Sequence, residues 1–339
     1  MTMVKRATWV IVILVVGWSA GWFLLARGQE KAVSKWFDTR RDKGWQAEFN
    51  QLEVSGFPAT FARRLEEPRL ADPDTGWAWK APWLDAESPV WLPNSIVVNM
   101  PPEQTLAIPG ERADIKSERF VVDLQVAPDT ALEVRDAGFD VVALEVVGAT
   151  GWHGGAERAT ARVTRRPDGV APEFTYGLDL DAAGVRLPKK LLRKLDPTGV
   201  LPADVDRLEI RSDSTLTRQL DRHTLETGDF ATRTIVMKKT ELRWGKMRLS
   251  AQGRIDADAK GFAEGSVTLV LREWRKMVDI ARRSGVISRD VARAIKRAIE
   301  FKNALFSSDD VRVTLSFGDG KVRIGPLPIA DAPRMLPSG

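Results

Sequence analysis

The sequence predicts a mainly β protein of the α+β class: an N-terminal transmembrane helix, then an elongated, curved antiparallel β-sheet domain with a few packing helices. Three observations predict it. An apolar run without a single charge occupies Thr8–Ala26. From Ala47 onward, short alternating runs are separated by turn residues, which is the period-two pattern of half-buried strands. These runs also follow one another without regular intervening helices, which favours antiparallel sheet over a doubly wound fold.

Composition sets the bounds. With 339 residues, 43% of them hydrophobic, the chain is long enough to bury a sizeable core. It has no cysteine, which excludes disulfides, thiolate metal sites and cysteine nucleophiles. The two histidines, His153 and His223, are far apart, so a histidine-rich metal site is not expected, although carboxylates can still hold hard cations. Basic and acidic residues number 51 and 46; this near balance argues against a general nucleic-acid binder. There are 12 Trp against one Tyr, Tyr176. Trp is common at lipid–water boundaries, but core packing accounts for most of these.

The first element is the run Thr8–Ala26, after a short tail of residues 1–7. About 20 helical residues cover a hydrocarbon core roughly 30 Å thick, and a helix satisfies its own backbone in lipid. Trp9 and Trp22, near the two ends of the run, are the expected membrane-interface residues. The competing reading is a cleaved signal peptide, with Ser19 and Gly21 as small residues before the cut. That cut would leave Trp22, Phe23, Leu24 and Leu25 as an apolar new terminus, so the anchor is preferred. Lys5 and Arg6 favour a cytoplasmic N-terminus, which sends the large C-terminal region to the periplasm; Arg27, Lys31 and Lys35 argue the other way. Gly17 and Gly21 form a G-x-x-x-G pair able to pack two such helices, although glycine tolerance in lipid explains the pair as well.

Residues 27–45 read as a juxtamembrane helix or linker that stops at Gly44, and 46–330 as the β-rich domain. Trp77, Trp79, Trp83 and Trp91, in Gly76–Trp91, read as an aromatic strip that contacts lipid or fills the core. Alternation is clear at Phe120-Val122-Leu124-Val126 and Val311-Val313-Leu315-Phe317. The segments RTIVMKK, ELRWGKMRLSAQGRIDA and GFAEGSVTLVL read as successive strands, and Asp319-Gly320 signals a hairpin. Two helical intervals interrupt: one at Leu187–Leu195, and a longer one at about 272–306 broken near Gly285. The second half of the longer interval carries Val291, Ile295 and Ile299 at i, i+4 and i+8. Its basic remainder suits a membrane surface or, preferably, a helix covering the end of a sheet. Residues 331–339 read as a flexible tail.

No catalytic constellation emerges. There is no phosphate loop and no G-x-S-x-G nucleophile elbow. His153 lies in a glycine-rich loop without a Ser and carboxylate to form a triad, and His223 falls at a turn or strand end. No catalytic residue, metal ligand or cofactor is assigned, and the protein is expected not to be an enzyme.

Several motifs carry a resemblance. The N-terminal span, LEVSGFPATFARRLEEPRL at Leu52–Leu70, the GWAWKAP strip, the segment Trp244–Leu271 and DGKVRIGPLPIA at Asp319–Ala330 together resemble a bacterial envelope family, domain of unknown function 2125. The resemblance covers nearly the whole chain and implies no activity. The segment Trp244–Leu271 also resembles AsmA-type envelope proteins, which implies an inner-membrane protein whose elongated sheet handles lipid in the periplasm. The expected function is therefore that of a single-pass inner-membrane protein with its C-terminal domain in the periplasm, binding or conveying lipid in an apolar groove. The alternative is a structural or assembly module. The expected partners are the lipid bilayer, then a lipid ligand or an envelope protein, and no nucleic acid.

Overall fold

The computed structural model describes residues 2–337 apart from Thr198, Val200, Val286 and 304–309, with side chains from Ile13 onward apart from Ala298 and 301–303. The chain divides into two compact units: Met1–Gln125 with Val146–Thr150, and Val126–Glu145 with Gly151–Gly339.

The first unit opens with α1 (Thr2–Asp42). There follow β1 (Gln46–Glu48), β2 (Gln51–Ser55), β3 (Thr60–Glu66), β4 (Arg69–Asp72) and β5 (Trp77–Lys80). Then come β6 (Trp83–Pro89), β7 (Ser95–Asn99), β8 (Glu103–Ile108), β9 (Glu111–Lys116) and β10 (Arg119–Val126). β3 pairs antiparallel with β2 and β6, and β6 continues to β7 and β10. β1, β4, β5, β8 and β9 form a second antiparallel run.

The residues read as span and linker form one continuous helix that ends at Asp42, two residues before the expected stop. Trp22, Ala26, Val33 and Phe37 lie at intervals of four, seven and four, a single stripe along a helix. That stripe packs on the inward residues of β3: Trp22 and Ala26 on Phe61, Val33 and Phe37 on Leu65. Trp22, expected at a membrane interface, is only 4% exposed, with its ring packed on Phe61. Among the described residues no helix is long and apolar enough to cross a membrane, so the expected span is not found there. The side chains of Thr8 to Val12, the first part of that span, lie outside the described ones.

The second unit runs β11 (Val134–Gly148, its last residues assigned to the first unit), β12 (His153–Arg165), β13 (Thr175–Arg186) and α2 (Lys189–Leu195). It continues with β14 (Asp204–Leu216), α3 (Arg222–Thr227), β15 (Thr232–Trp244), β16 (Met247–Ala257) and β17 (Ala263–Arg272). Last come α4 (Trp274–Arg283), α5 (Arg289–Asn303), β18 (Asp310–Gly318), β19 (Lys321–Ile324) and β20 (Leu327–Asp331). From β12 to β20 each strand pairs antiparallel with the next, forming a meander.

Several expectations are refined here. RTIVMKK and the following ELRW form one strand, β15, because an irregularity between Met237 and Thr240 absorbs the break in alternation. Asp319 and Gly320, both at positive φ, make the hairpin between β18 and β19. Ile295 and Ile299 are buried with Leu271 and Val311, so α5 covers the sheet and turns its basic side outward. Residues 304–306 of the expected helical interval lie outside the described ones. The expected flexible tail is instead tied down: Ala332 is 5% exposed, and the Pro333 carbonyl accepts from the Ala263 N–H at 2.9 Å. Residues 338 and 339 of that tail lie outside the described ones.

Candidate functional site: a two-faced meander

Register decides which side chains share a face. Across the centre of the second unit, directly paired residues run Val163, Leu178, Ser212, Met237, Gly253, Val267, Leu315 and Ile324. The next row on the same face runs Ala161, Leu180, Ile210, Thr240, Ala251, Leu269 and Val313. Successive residues of a strand point to opposite sides, so the intervening rows face the other way. One of these runs Arg158, Ala183, Arg207, Arg243, Arg248, Arg272 and Asp310. One face of the meander is thus nearly free of charge and the other is a lattice of charges.

The helices cover part of the apolar face. α4 and α5 place Trp274, Val278 and Ile295 on Leu249, Leu271 and Val311, while α2 joins Val205 and Trp244. At another place Ala332 and Met335 cover Ile255 and Phe317. Between these covers, Leu178, Leu180, Ile210, Ile235 and Met237 are half-buried and belong to none of the helix-bound clusters. This uncovered part of β13, β14 and β15 is the candidate site.

The charged face is internally paired. Glu209, 4% exposed, meets Lys239 at 2.9 Å, Arg211 at 3.2 Å and Arg207 at 3.8 Å. The hydrogen bond from Lys239 leads in holding its carboxyl below the usual range, and neighbouring charges add to it. Burial pushes the Asp213 carboxyl up, but hydrogen bonds from Lys238 and Arg166 outweigh it and leave the group lowered.

A buried polar knot closes the apolar face at Tyr176. Its hydroxyl accepts from the Leu220 N–H at 2.8 Å and donates to Glu133 at 3.3 Å. Arg165 holds the same carboxylate at 2.9 Å. Burial leads in raising the Tyr176 pKa. Every member is partnered, so the knot serves structure.

The residues singled out from the sequence are scattered. Trp77 packs edge-on against Trp45, with ring centroids 5.3 Å apart, and the Trp79 indole donates to Gln104 at 3.0 Å. Trp83 opens β6 beneath the Arg64 guanidinium, whereas Trp91 lies beyond the other end of that strand and is 71% exposed. The four therefore form no common strip. The Trp9 side chain lies outside the described ones. A Cβ built on Gly17 or Gly21 meets nothing within 4 Å. His153 is exposed and reaches Glu145 only at 4.0 Å, and His223 lies in the short α3. Among the described residues no cluster of three or more carboxylates and histidines is placed to hold a metal. In the first unit a cleft of about 540 Å³ is lined by Arg69 and Lys116, already paired with Glu67 and Glu103.

Sequence reasoning named none of the residues of the uncovered apolar face. Their signal was the shared parity of Leu178-Leu180 and Ile235-Met237. Alternation assigns a face, but only the placement of α2, α4 and α5 shows which rows stay bare. Among comparisons with known proteins, the family described as "uncharacterized protein conserved in bacteria (DUF2125)" matches residues 22–333. No curated protein and no solved structure matches, and the likeness to AsmA-type proteins gains no support there.

Proposed function

The chain belongs to the DUF2125 family of conserved bacterial proteins, and from that premise we propose that it is a membrane-tethered, non-enzymatic envelope protein that binds lipid acyl chains on the apolar face of its meander. The single observation behind this reading is the stretch of that face that no helix covers, with Leu178, Leu180, Ile210, Ile235 and Met237 adjacent and only half-buried. Apolar surface of this extent is costly in water unless something covers it. An acyl chain lies along such a surface without needing polar partners, and the residues paired with those five carry no charge, only hydroxyls such as those of Ser212 and Thr240. The proposed tether is the uncharged run Thr8–Ala26, and the preceding Lys5 and Arg6 favour a meander on the periplasmic side of the inner membrane.

The test is site-specific photocrosslinking in cells. A benzophenone amino acid replaces Leu180 or Met237 on the apolar face, or Arg211 or Arg254 on the charged face. Lipid adducts, identified by mass spectrometry, are expected at the first two positions only. Equal labelling of both faces, or none, defeats the proposal. A stoichiometric protein adduct from the apolar face would support the second reading, an assembly module. That reading draws on α2, where Lys189, Lys190, Arg193 and Lys194 are exposed and suited to an acidic partner.

A further inference from the structure

In the first unit three uncharged segments meet at one end of the sheet. They are the helix positions Trp18 to Phe23, the turn between β2 and β3, and the loop between β6 and β7. The turn lies within Val54–Ala62 and the loop within Ser88–Pro102; neither stretch contains a charge, in a chain whose residues are 29% charged. Phe57 stacks on Phe23 with centroids 5.9 Å apart and meets Trp22 edge-on at 5.5 Å. The Val90 N–H donates to the Ala59 carbonyl at 3.0 Å, which ties the two loops together. Phe57, Trp91, Phe23 and Trp18 are nevertheless 47%, 71%, 58% and 50% exposed.

We propose that this end of the sheet is a membrane-seating surface, with Phe57 and Trp91 immersed at the boundary between headgroups and acyl chains. The inference rests on the membrane-tethered reading and adds to it where the folded domain meets the bilayer. Two observations select lipid as the occupant. First, Ile13, Leu14, Val15 and Val16 are all exposed, and four consecutive residues cover about 300° of a helix surface. A protein partner covers one side of a helix, whereas lipid surrounds it. That bare stretch continues directly into Trp18, whose indole donates to the Pro58 carbonyl at 3.1 Å.

Second, several carbonyls of the tip are already satisfied within the protein, which lowers the cost of immersion in lipid. Gly56 O accepts from Thr60 N at 3.0 Å and Thr60 O from the Trp22 indole at 3.1 Å. Pro89 O accepts from Leu92 N and Leu92 O from Ser95 N, each at 3.1 Å. Depth follows from the helix. The first charge after the apolar run is Arg27, and the rise from Trp18 to Arg27 is roughly 13 Å. Loops level with Trp18 to Phe23 therefore lie inside the lipid boundary set by Arg27, roughly 6–13 Å from it along the helix, a range that overlaps the depth of about 5–10 Å typical of interfacial apolar groups.

The absence of cysteine makes the test direct. Full-length Phe57→Cys, Trp91→Cys and Asp74→Cys variants carry an environment-sensitive nitrobenzoxadiazole label in vesicles of phosphatidylethanolamine and phosphatidylglycerol. Asp74 is exposed in the turn between β4 and β5, beside Trp77, whose ring meets Trp45 just beyond the end of α1. Labels at 57 and 91 are expected to be quenched by nitroxide-bearing lipid and shielded several-fold from aqueous iodide relative to 74. Equal iodide quenching at all three positions, with the chain still floating with vesicles, overturns the seating surface and spares the tether. A chain that does not float overturns both. Leu92→Cys replaces the Phe57 variant should that variant lose its β-sheet circular dichroism.

Discussion

At the scale of single residues, Tyr176 and Arg63 test opposite ideas about buried polar groups. The Tyr176 hydroxyl is both acceptor and donor, so Tyr176→Phe strands the Leu220 N–H and removes one bond from Glu133. Urea denaturation is expected to show a loss of about 1–2 kcal/mol, the usual cost of orphaning a buried partner. Arg63 is 6% exposed beneath α1, and its guanidinium donates to the Ser88 hydroxyl while Nε finds no acceptor. Burial lowers its pKa, the sign of a charge held at a cost. Arg63→Met fills the same slot without the charge and is expected to melt at or above the parent temperature; a drop of several degrees would show that the charge stabilises the unit. Neither role was readable beforehand. Arg63 lies between Phe61 and Leu65 in alternation, yet an arginine is read as exposed until a helix is known to cover its face. The packing of Trp22 on β3 was hidden for a related reason, since its position at the end of an apolar run masked its four-residue spacing to Ala26.

At the scale of elements, β16 and β17 approach closely because two glycines permit it. A Cβ on Gly253 would stand 2.2 Å from the Ser266 carbonyl oxygen, and one on Gly265 would stand 2.3 Å from that of Arg254. Gly265 also has φ of +135°, a region L side chains rarely adopt. Both point to the apolar face. Gly253→Ala is expected to force the two strands apart and cost on the order of 2 kcal/mol, read as a fall in the urea midpoint at unchanged slope. An unshifted midpoint would show that the strands relax freely. The elements themselves were largely legible, because alternation in β10, β17 and β18 and the Asp319-Gly320 turn are local signals. Legibility failed where nonlocal contacts decide. β15 continues through an irregularity because β14 and β16 flank it, and Arg334 to Leu336 are held by Gly261 and Phe262, far away in sequence.

At the scale of the whole molecule, the separation of apolar and charged faces ties stability to pH. The sequence made a β-rich, nearly charge-balanced chain plain, but not that its charges form a lattice on one side of a meander, because partners such as Glu209 and Lys239 are assembled only by register. Glu209 and Asp256 are lowered first by hydrogen bonds from Lys239 and Arg254, and Asp213 is lowered despite burial. A carboxyl whose folded pKa lies below its unfolded one contributes stability that is fully present above the unfolded value and is lost as pH falls through the folded one. Unfolded carboxyls titrate near 4, so stability against urea is expected to be level from about pH 8 to pH 5 and to decline below about pH 4. Asp256→Asn removes one of these groups without touching the apolar face, so its acid decline is expected to be shallower than the parent's. High salt weakens the exposed pairs and is expected to shrink the same difference at neutral pH. Equal stability of the parent at pH 7 and pH 3 would mean that the charged lattice contributes nothing, and that the covered parts of the apolar face alone hold the meander together.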